Sequence, residues 1–289
     1  LQFNHAVIPH SDKVYTDDTV KTAAAAYDAL ITGSDQVWNP HIFDFDEMFF
    51  FPFETKAIKI GYSVSIGESS LEDIRGYSKY AKDFPYVGLR EKGAKEKVEA
   101  ICGHSVVDTV DPVLLLTRED WETFVDKSSP LAKEKYLLCY LIDKKPIKQN
   151  MAIAEQIAKE RGLKIKYIWM HLEKESFRGN FINDASPVEF LNYMYHASAV
   201  MTDGYHGTVF STIFNKPMYS VINNRQSTDS RIRDYLTLIG LESRIFYGDA
   251  PVIPKEEIDY TEVDPKIRSA ADASKAFLQS AIDNERVVK

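Results

Sequence analysis

Between Met201 and Pro217 the chain reads Met-Thr-Asp-Gly-Tyr-His-Gly-Thr-Val-Phe-Ser-Thr-Ile-Phe-Asn-Lys-Pro. An apolar strand ends at a carboxylate, Asp203, and the turn after it sets His206 between Gly204 and Gly207. A helix is expected from Thr208 to Asn215. The helix N-terminus offers N–H groups and a partial positive charge, a ready anion site. The glycines let an anion come close to the backbone. Open α/β sheets hold their ligands at the carboxyl ends of their strands. An isolated histidine usually just hydrogen-bonds a neighbour, but the strand–Gly–His–Gly–helix setting favours function.

The first half repeats this logic at Gly33-Ser34-Asp35-Gln36-Val37-Trp38, where a strand runs into a small-residue turn with a carboxylate and a large aromatic. An Asx-type turn with Trp38 in the core explains the same residues equally well. Arg90, at a strand end beside Glu91, has the fork to clamp a carboxylate or phosphate. Taken singly it reads as a surface ion pair. Asp111-Pro112 reads as a structural turn with a buried carboxylate. Arg225 to Arg233 is a basic cluster in an acidic half, with Asp229 or Ser230 as cap of the helix that follows. Its nearness to the His206 loop suggests that it faces an anion. The patterns HExxH, paired CxxC, GxxxxGK[ST] and GxSxG are absent from the sequence, so zinc protease, P-loop and serine hydrolase readings have no support.

The elements that must position these residues alternate in type. Strands are expected at Ala29–Thr32, Ile58–Val64, Tyr86–Arg90, Val106–Asp108, Tyr136–Ile142, Lys164–Met170, Ala199–Thr202 and Met218–Ile222. Helices are expected over Glu91–Ala100, around Met151 to Ala158 with Gly162 closing it, and from Ser186-Pro187, a capping-box start. A last helix, capped by Asp264-Pro265, carries an apolar stripe through Ile267, Ala271, Phe277 and Ala281. Two successive α/β halves predict two Rossmann-like parallel-sheet domains facing a cleft, 1–130 and 131–289, with the linker near Asp126 to Lys135.

The 289 residues are 44% apolar and carry a net charge of −8, so the chain lacks the broad basic face of a general nucleic-acid binder. Two distant cysteines, Cys102 and Cys139, cannot make a disulfide framework or, alone, a thiolate metal site. No apolar run reaches the ~18 to 20 residues of a membrane span, and Leu1 to His5 does not open a signal peptide. The expectation is a cytoplasmic protein with no membrane span, nucleic acid or metal.

Several segments, taken in order, resemble the polysaccharide pyruvyltransferase family. These are Gly33 to Asn39, Ser63-Val64-Ser65-Ile66-Gly67, Leu89-Arg90-Glu91-Lys92, Asp111 to Leu115, Thr202 to Pro217, and Ser230 to Arg233 with Leu238 to Glu242. The resemblance spans about Tyr27 to Arg244, and its most specific parts are Gly-Ser-Asp-Gln-Val-Trp and Asp-Gly-Tyr-His-Gly-Thr-Val-Phe-Ser. It implies a GT-B-like fold with an interdomain active site and a C-terminal helix crossing back to the first domain. The first domain would take the acceptor and the second the donor. The reaction implied moves a pyruvyl group from phosphoenolpyruvate, a substrate and not a cofactor, to two hydroxyls of a lipid- or nucleotide-linked sugar, forming a cyclic ketal in surface-polysaccharide synthesis. By the same resemblance His206 matches the catalytic histidine, Arg90 a donor-binding arginine, and Asp35 a base near the acceptor. Gly204, Gly207 and Thr208 would border the donor, with Arg231 and Arg233 as further cations.

Two departures stand out. Some relatives carry an arginine two residues before the histidine, where this chain has Gly204. Family members also usually open with a Gly-containing strand and helix, and none precedes Tyr27, so the first domain is expected without its first βα unit. The rival readings are a nucleotide-sugar glycosyltransferase of the same fold and a non-catalytic glycan-binding member.

Overall fold

In the computed structural model the described residues are 8–143, 146–169, 180–222, 230–247, 253–254 and 256–288. Arg225, Asp229 and Met170 lie outside them. The chain divides into two compact units, one of residues 2–115 together with 265–289, the other of residues 116–264. We call these the N-terminal and C-terminal units.

The N-terminal unit holds a four-stranded parallel sheet, β1 (Ala29–Thr32), β2 (Ile58–Val64), β3 (Tyr86–Leu89) and β4 (Val107–Asp108), in that spatial order. From Lys59 to Val64 every residue of β2 is buried, the continuous burial expected of a parallel strand covered on both faces. Helices α1 (Val20–Ala24), α2 (Leu71–Arg75), α3 (Ser78–Ala81) and α4 (Lys95–Cys102) belong to this unit. The helix expected from Glu91 is a 3-10 turn over Lys92–Ala94 that leads into α4. Trp38, Phe50, Val64, Phe84 and Val98 lie in the core, and Trp38 stacks on Phe50 at 4.7 Å between centroids.

The C-terminal unit contains a six-stranded sheet, β5 (Tyr136–Leu141), β6 (Lys164–Trp169), β7 (Asn180–Ile182), β8 (Ala199–Thr202), β9 (Met218–Ile222) and β10 (Ile245–Tyr247), with every pairing parallel. Its order is β10-β9-β8-β5-β6-β7. The chain steps outward from β5 through β6 to β7, then returns to the other side of β5 for β8, β9 and β10. The order therefore reverses between β5 and β8. Helices α5 (Arg118–Glu122), α6 (Ile147–Arg161), α7 (Pro187–His196), α8 (Tyr205–Ile213) and α9 (Ser230–Ile239) belong to this unit. The Ser186 hydroxyl and the Glu189 carboxylate form the expected capping box on α7.

Two further helix starts differ from expectation. Helix α8 begins at Tyr205, three residues before Thr208, because Gly207 packs into the helix–sheet contact instead of ending a turn. The last helix, α10 (Tyr260–Val288), begins before Asp264-Pro265 and takes Pro265 inside. Its start is fixed by burial of Val263 and by the Tyr260 hydroxyl, which donates to the Lys216 carbonyl at 2.6 Å. From Pro265 onward it groups with the N-terminal unit, where the Val110 N–H donates to Ser274 Oγ at 3.0 Å. Cys102 and Cys139 are both buried free thiols, and burial pushes Cys102 up to about 12. Among the described residues no helix is long and apolar enough to cross a membrane.

Candidate functional site

Residues singled out from the sequence fall into two groups, one at the carboxyl ends of each sheet. In the N-terminal unit, β1 ends in the Gly33-Ser34-Asp35 turn. Gly33 has φ +117°, and a Cβ there would lie 2.0 Å from the Tyr62 carbonyl oxygen, so only glycine lets the turn approach β2 this closely. Asp35 follows with φ +70°, a left-handed conformation that Asp tolerates better than most residues.

Asp35 is held there by Arg90. Arg90 Nη2 donates to Asp35 Oδ1 at 2.7 Å, while Nη1 donates to Asp111 Oδ2 at 2.5 Å and to Ser34 Oγ at 3.2 Å. The guanidinium is not on the surface: its side chain is 1% exposed, that of Asp111 2%, and that of Asp35 56%. The surface-pair reading of Arg90 is therefore corrected. The Arg90 N–H still bonds to Val64 O at the end of β2, which draws its side chain in among the strand ends. Three segments distant in sequence, carrying Ser34 with Asp35, Arg90, and Asp111, thus meet at one cation, with a half-exposed carboxylate as the outermost member.

In the C-terminal unit, Gly204 to Thr208 form the start of α8 at the end of β8. Gly204 is the N-cap, with no side-chain cap, and its N–H donates to Thr202 Oγ1 at 3.0 Å. His206 is the second residue of the helix, half-buried, with its ring edge-on to Tyr205 at 5.4 Å. The main-chain N–H groups of a first helical turn have no carbonyl four residues back, so they point outward from the helix end. A Cβ on Gly207 would lie 2.2 Å from Thr202 Oγ1 and 2.7 Å from the Tyr140 ring. Thr208 is fully buried, its hydroxyl bonded to Gly204 O at 3.1 Å and paired with Ser220 Oγ at 3.0 Å. What Thr208 brings to the site is therefore the fixing of the turn from inside.

Both expected cations of α9 contact aromatic rings. Arg231 lies over Tyr205 at 5.9 Å, which places it at the start of α8, and Arg233 lies over Tyr247 at 5.5 Å and donates to its hydroxyl at 3.2 Å. Arg231 is therefore the one beside the His206 turn. At Gly204 a Cβ would lie 2.4 Å from Ile142 Cδ1, so the Ile142 side chain covers the spot from which an arginine would project.

Asp203 and Asn150 take a larger part than the sequence suggested. The Asp203 carboxylate is 5% exposed and accepts from the Ile142 N–H at 2.7 Å, the Asp143 N–H at 3.3 Å and Asn150 Nδ2 at 3.2 Å. Burial pushes its carboxyl up to about 7 against the pull of the main-chain hydrogen bonds. Asn150 sits on the apolar stripe of α6 with Ile147, Ala154 and Ile157. A polar residue at a stripe position was the signal available in the sequence.

The location is as informative as the contacts. Ile142 and Asp143 follow β5, and Asp203 to His206 follow β8, the two adjacent strands between which the order reverses. In open parallel sheets the crevice at such a reversal is the usual ligand site. Among the described residues no three His, Cys, Asp or Glu side chains gather to hold a metal ion.

A family model described as polysaccharide pyruvyl transferase matches residues 2–225, taking in Asp35, Arg90, Asp111 and His206 and stopping short of Arg231 and Arg233. No curated protein matches the chain. Among solved structures, that of accessory secretory protein 1, 2 and 3 of Streptococcus pneumoniae is similar over 94% of this chain and 57% of that one, at 7% identity and a TM-score of 0.51. UDP-GlcNAc 2-epimerase of Neisseria meningitidis bound to UDP-GlcNAc is similar over 81% and 72%, at 11% identity and a TM-score of 0.44. The first of these likenesses concerns the fold alone.

Proposed function

Because the chain belongs to the polysaccharide pyruvyl transferase family, we propose that it moves a pyruvyl group from phosphoenolpyruvate to two hydroxyls of a sugar, forming a ketal. The observation that carries this reading is the place of His206. It lies in the first turn of α8, beside the reversal between β5 and β8, with Arg231 near the same helix end. A proton-exchanging group, a cation and the positive end of a helix suit a donor that bears both phosphate and carboxylate.

The chemistry balances as follows. The donor's methylene carbon takes up a proton, which leaves positive charge at the carbon bearing the phosphate ester. A sugar hydroxyl oxygen bonds to that carbon and gives up its proton. The carbon–phosphate oxygen bond then breaks, a second hydroxyl oxygen takes its place and loses its proton, and inorganic phosphate leaves. In this reading His206 exchanges protons with the donor, worth roughly 10²- to 10⁴-fold. Asp35 is the candidate base for an acceptor hydroxyl, and Arg90 acts by holding Asp35. Arg231 and the helix start bear on the donor's charge, and Arg233 stands further off beside Tyr247. No cofactor or metal is required, and a lipid- or nucleotide-linked acceptor in the cytoplasm suits the reading.

Calorimetric titration of phosphoenolpyruvate into the whole chain tests the proposal. Binding at micromolar to low-millimolar Kd that is weakened in Arg231→Ala supports it. A folded protein that ignores phosphoenolpyruvate and binds a nucleotide sugar would overturn it in favour of glycosyl transfer.

A further inference from the structure

We propose that Asp203 is the positioning residue of the His206 turn, a clamp across the sheet reversal that holds the end of β5 against the start of α8. The proposal rests on the reading above only for the ligand concerned; the clamp itself stands on geometry. One carboxylate at the end of β8 takes two successive main-chain N–H groups, Ile142 and Asp143, from the neighbouring strand end, and a third donor, Asn150, from the first turn of α6. The same grip seats the Ile142 side chain on Gly204. The residues that border the turn from β5 are therefore tied through one side chain, three positions before His206.

This clamp is built to work near a protonation threshold. A carboxylate with three donors would ordinarily stay charged far below neutrality, yet burial lifts this one to about 7. The ionisable groups that bear on it are Asp143, which raises it further, and Cys139 and Tyr140 on β5, each of which feels the Asp203 charge. Lys144 and Lys145 come next in the sequence and lie outside the described residues. Asn150 has one more property: its Oδ1 is fully buried and has no hydrogen-bond partner among the described residues. Turning the amide over puts that oxygen where Nδ2 stood, facing Asp203, ready to accept from a protonated carboxyl. Asn150 thus partners Asp203 in either state, whereas the N–H groups of Ile142 and Asp143 bond well only to the charged form. Uptake of a proton shifts Asp203 toward Asn150 and loosens the end of β5.

The main-chain amides report this directly. In the ¹⁵N-labelled whole chain, the Ile142 and Asp143 amide resonances are expected to move through one transition near pH 7 between pH 5.5 and 9, and to stay flat in Asp203→Asn. Flat resonances in the wild type, or a transition that persists in Asp203→Asn, would overturn the clamp. Should Asp203→Asn not fold, Asn150→Ala serves instead: of the two bonds Asn150 can make, the one to the charged carboxylate is the stronger, so its loss should move the midpoint up, and an unmoved midpoint counts against the proposal. A second arm measures phosphoenolpyruvate affinity at pH 6 and pH 8. The wild-type ratio is expected to exceed that of Asp203→Asn several-fold, because the ligand's own ionisation is common to both; equal ratios deny the clamp any effect on the turn. If phosphoenolpyruvate fails to bind at all, the pyruvyl-transfer reading falls while the amide titration still decides the clamp.

Discussion

Arg90 and Asp111 form a buried ion pair, Nη1 2.5 Å from Oδ2, with both side chains almost wholly enclosed. Such a pair adds little net stability compared with apolar residues of the same size, but losing one partner leaves a charge stranded away from water. Asp111→Ala should therefore cost about 3 to 5 kcal/mol in urea unfolding. Asp35→Ala, which removes the exposed partner, should cost under about 1 kcal/mol. Equal costs would mean that the guanidinium does not depend on Asp111.

His206→Ala should lower pyruvyl transfer by roughly 10²-fold or more, followed as phosphate release with a saturating acceptor. The unfolding midpoint should stay close to that of the wild type, since the ring is only half-buried. Unchanged turnover would remove the imidazole from the proton transfers.

The two glycines flanking His206 should respond differently to a methyl group. At Gly207 the new carbon meets the Thr202 hydroxyl at 2.2 Å, a short side chain with nowhere to retreat. At Gly204 it meets the far end of the Ile142 side chain, which is 40% exposed. Gly207→Ala is expected to cost about 1 to 3 kcal/mol by overpacking, and Gly204→Ala clearly less. The reverse order in parallel denaturation curves would show that the start of α8 is not packed this way.

Stability should also carry the mark of Asp203. Its folded carboxyl stands near 7, and an unfolded aspartate near ~3.9. Between these values the native state keeps a proton that the unfolded chain has released, so stability falls as pH rises through the interval and levels off above it. From pH 5 to pH 8 the wild type should lose about 3 kcal/mol relative to Asp203→Asn, at about 1.4 kcal/mol per pH unit. Two parallel curves of unfolding free energy against pH would refute this.

Much of the fold was readable because its parallel strands appear as short, mostly apolar runs. Ala29–Thr32, Ile58–Val64, Ala199–Thr202 and Met218–Ile222 are found with the expected bounds. The edge strands β7 and β10 were missed, since three residues are too few to show a pattern. The start of α8 was placed late because Gly204 and Gly207 carry turn chemistry, and only packing against Thr202 reveals that the second glycine belongs to a helix. Asp203, Gly204 and His206 were visible as a group, but the clamp was not: its partners lie 61, 60 and 53 residues away. The burial of Arg90 was hidden likewise, because it depends on Asp35 and Asp111, 55 and 21 residues distant.

The long final helix has a consequence for biosynthesis. Residues 265–289 complete the unit begun by residues 2–115, while residues 116–264 form the other unit without interruption. On a ribosome adding about 5–20 residues per second, the first sheet waits roughly 10 to 30 s for its last helix to emerge. The half that is translated first is thus finished last. During that interval the surface later covered by Ala271, Ser274 and Ala281 stands open to chaperones.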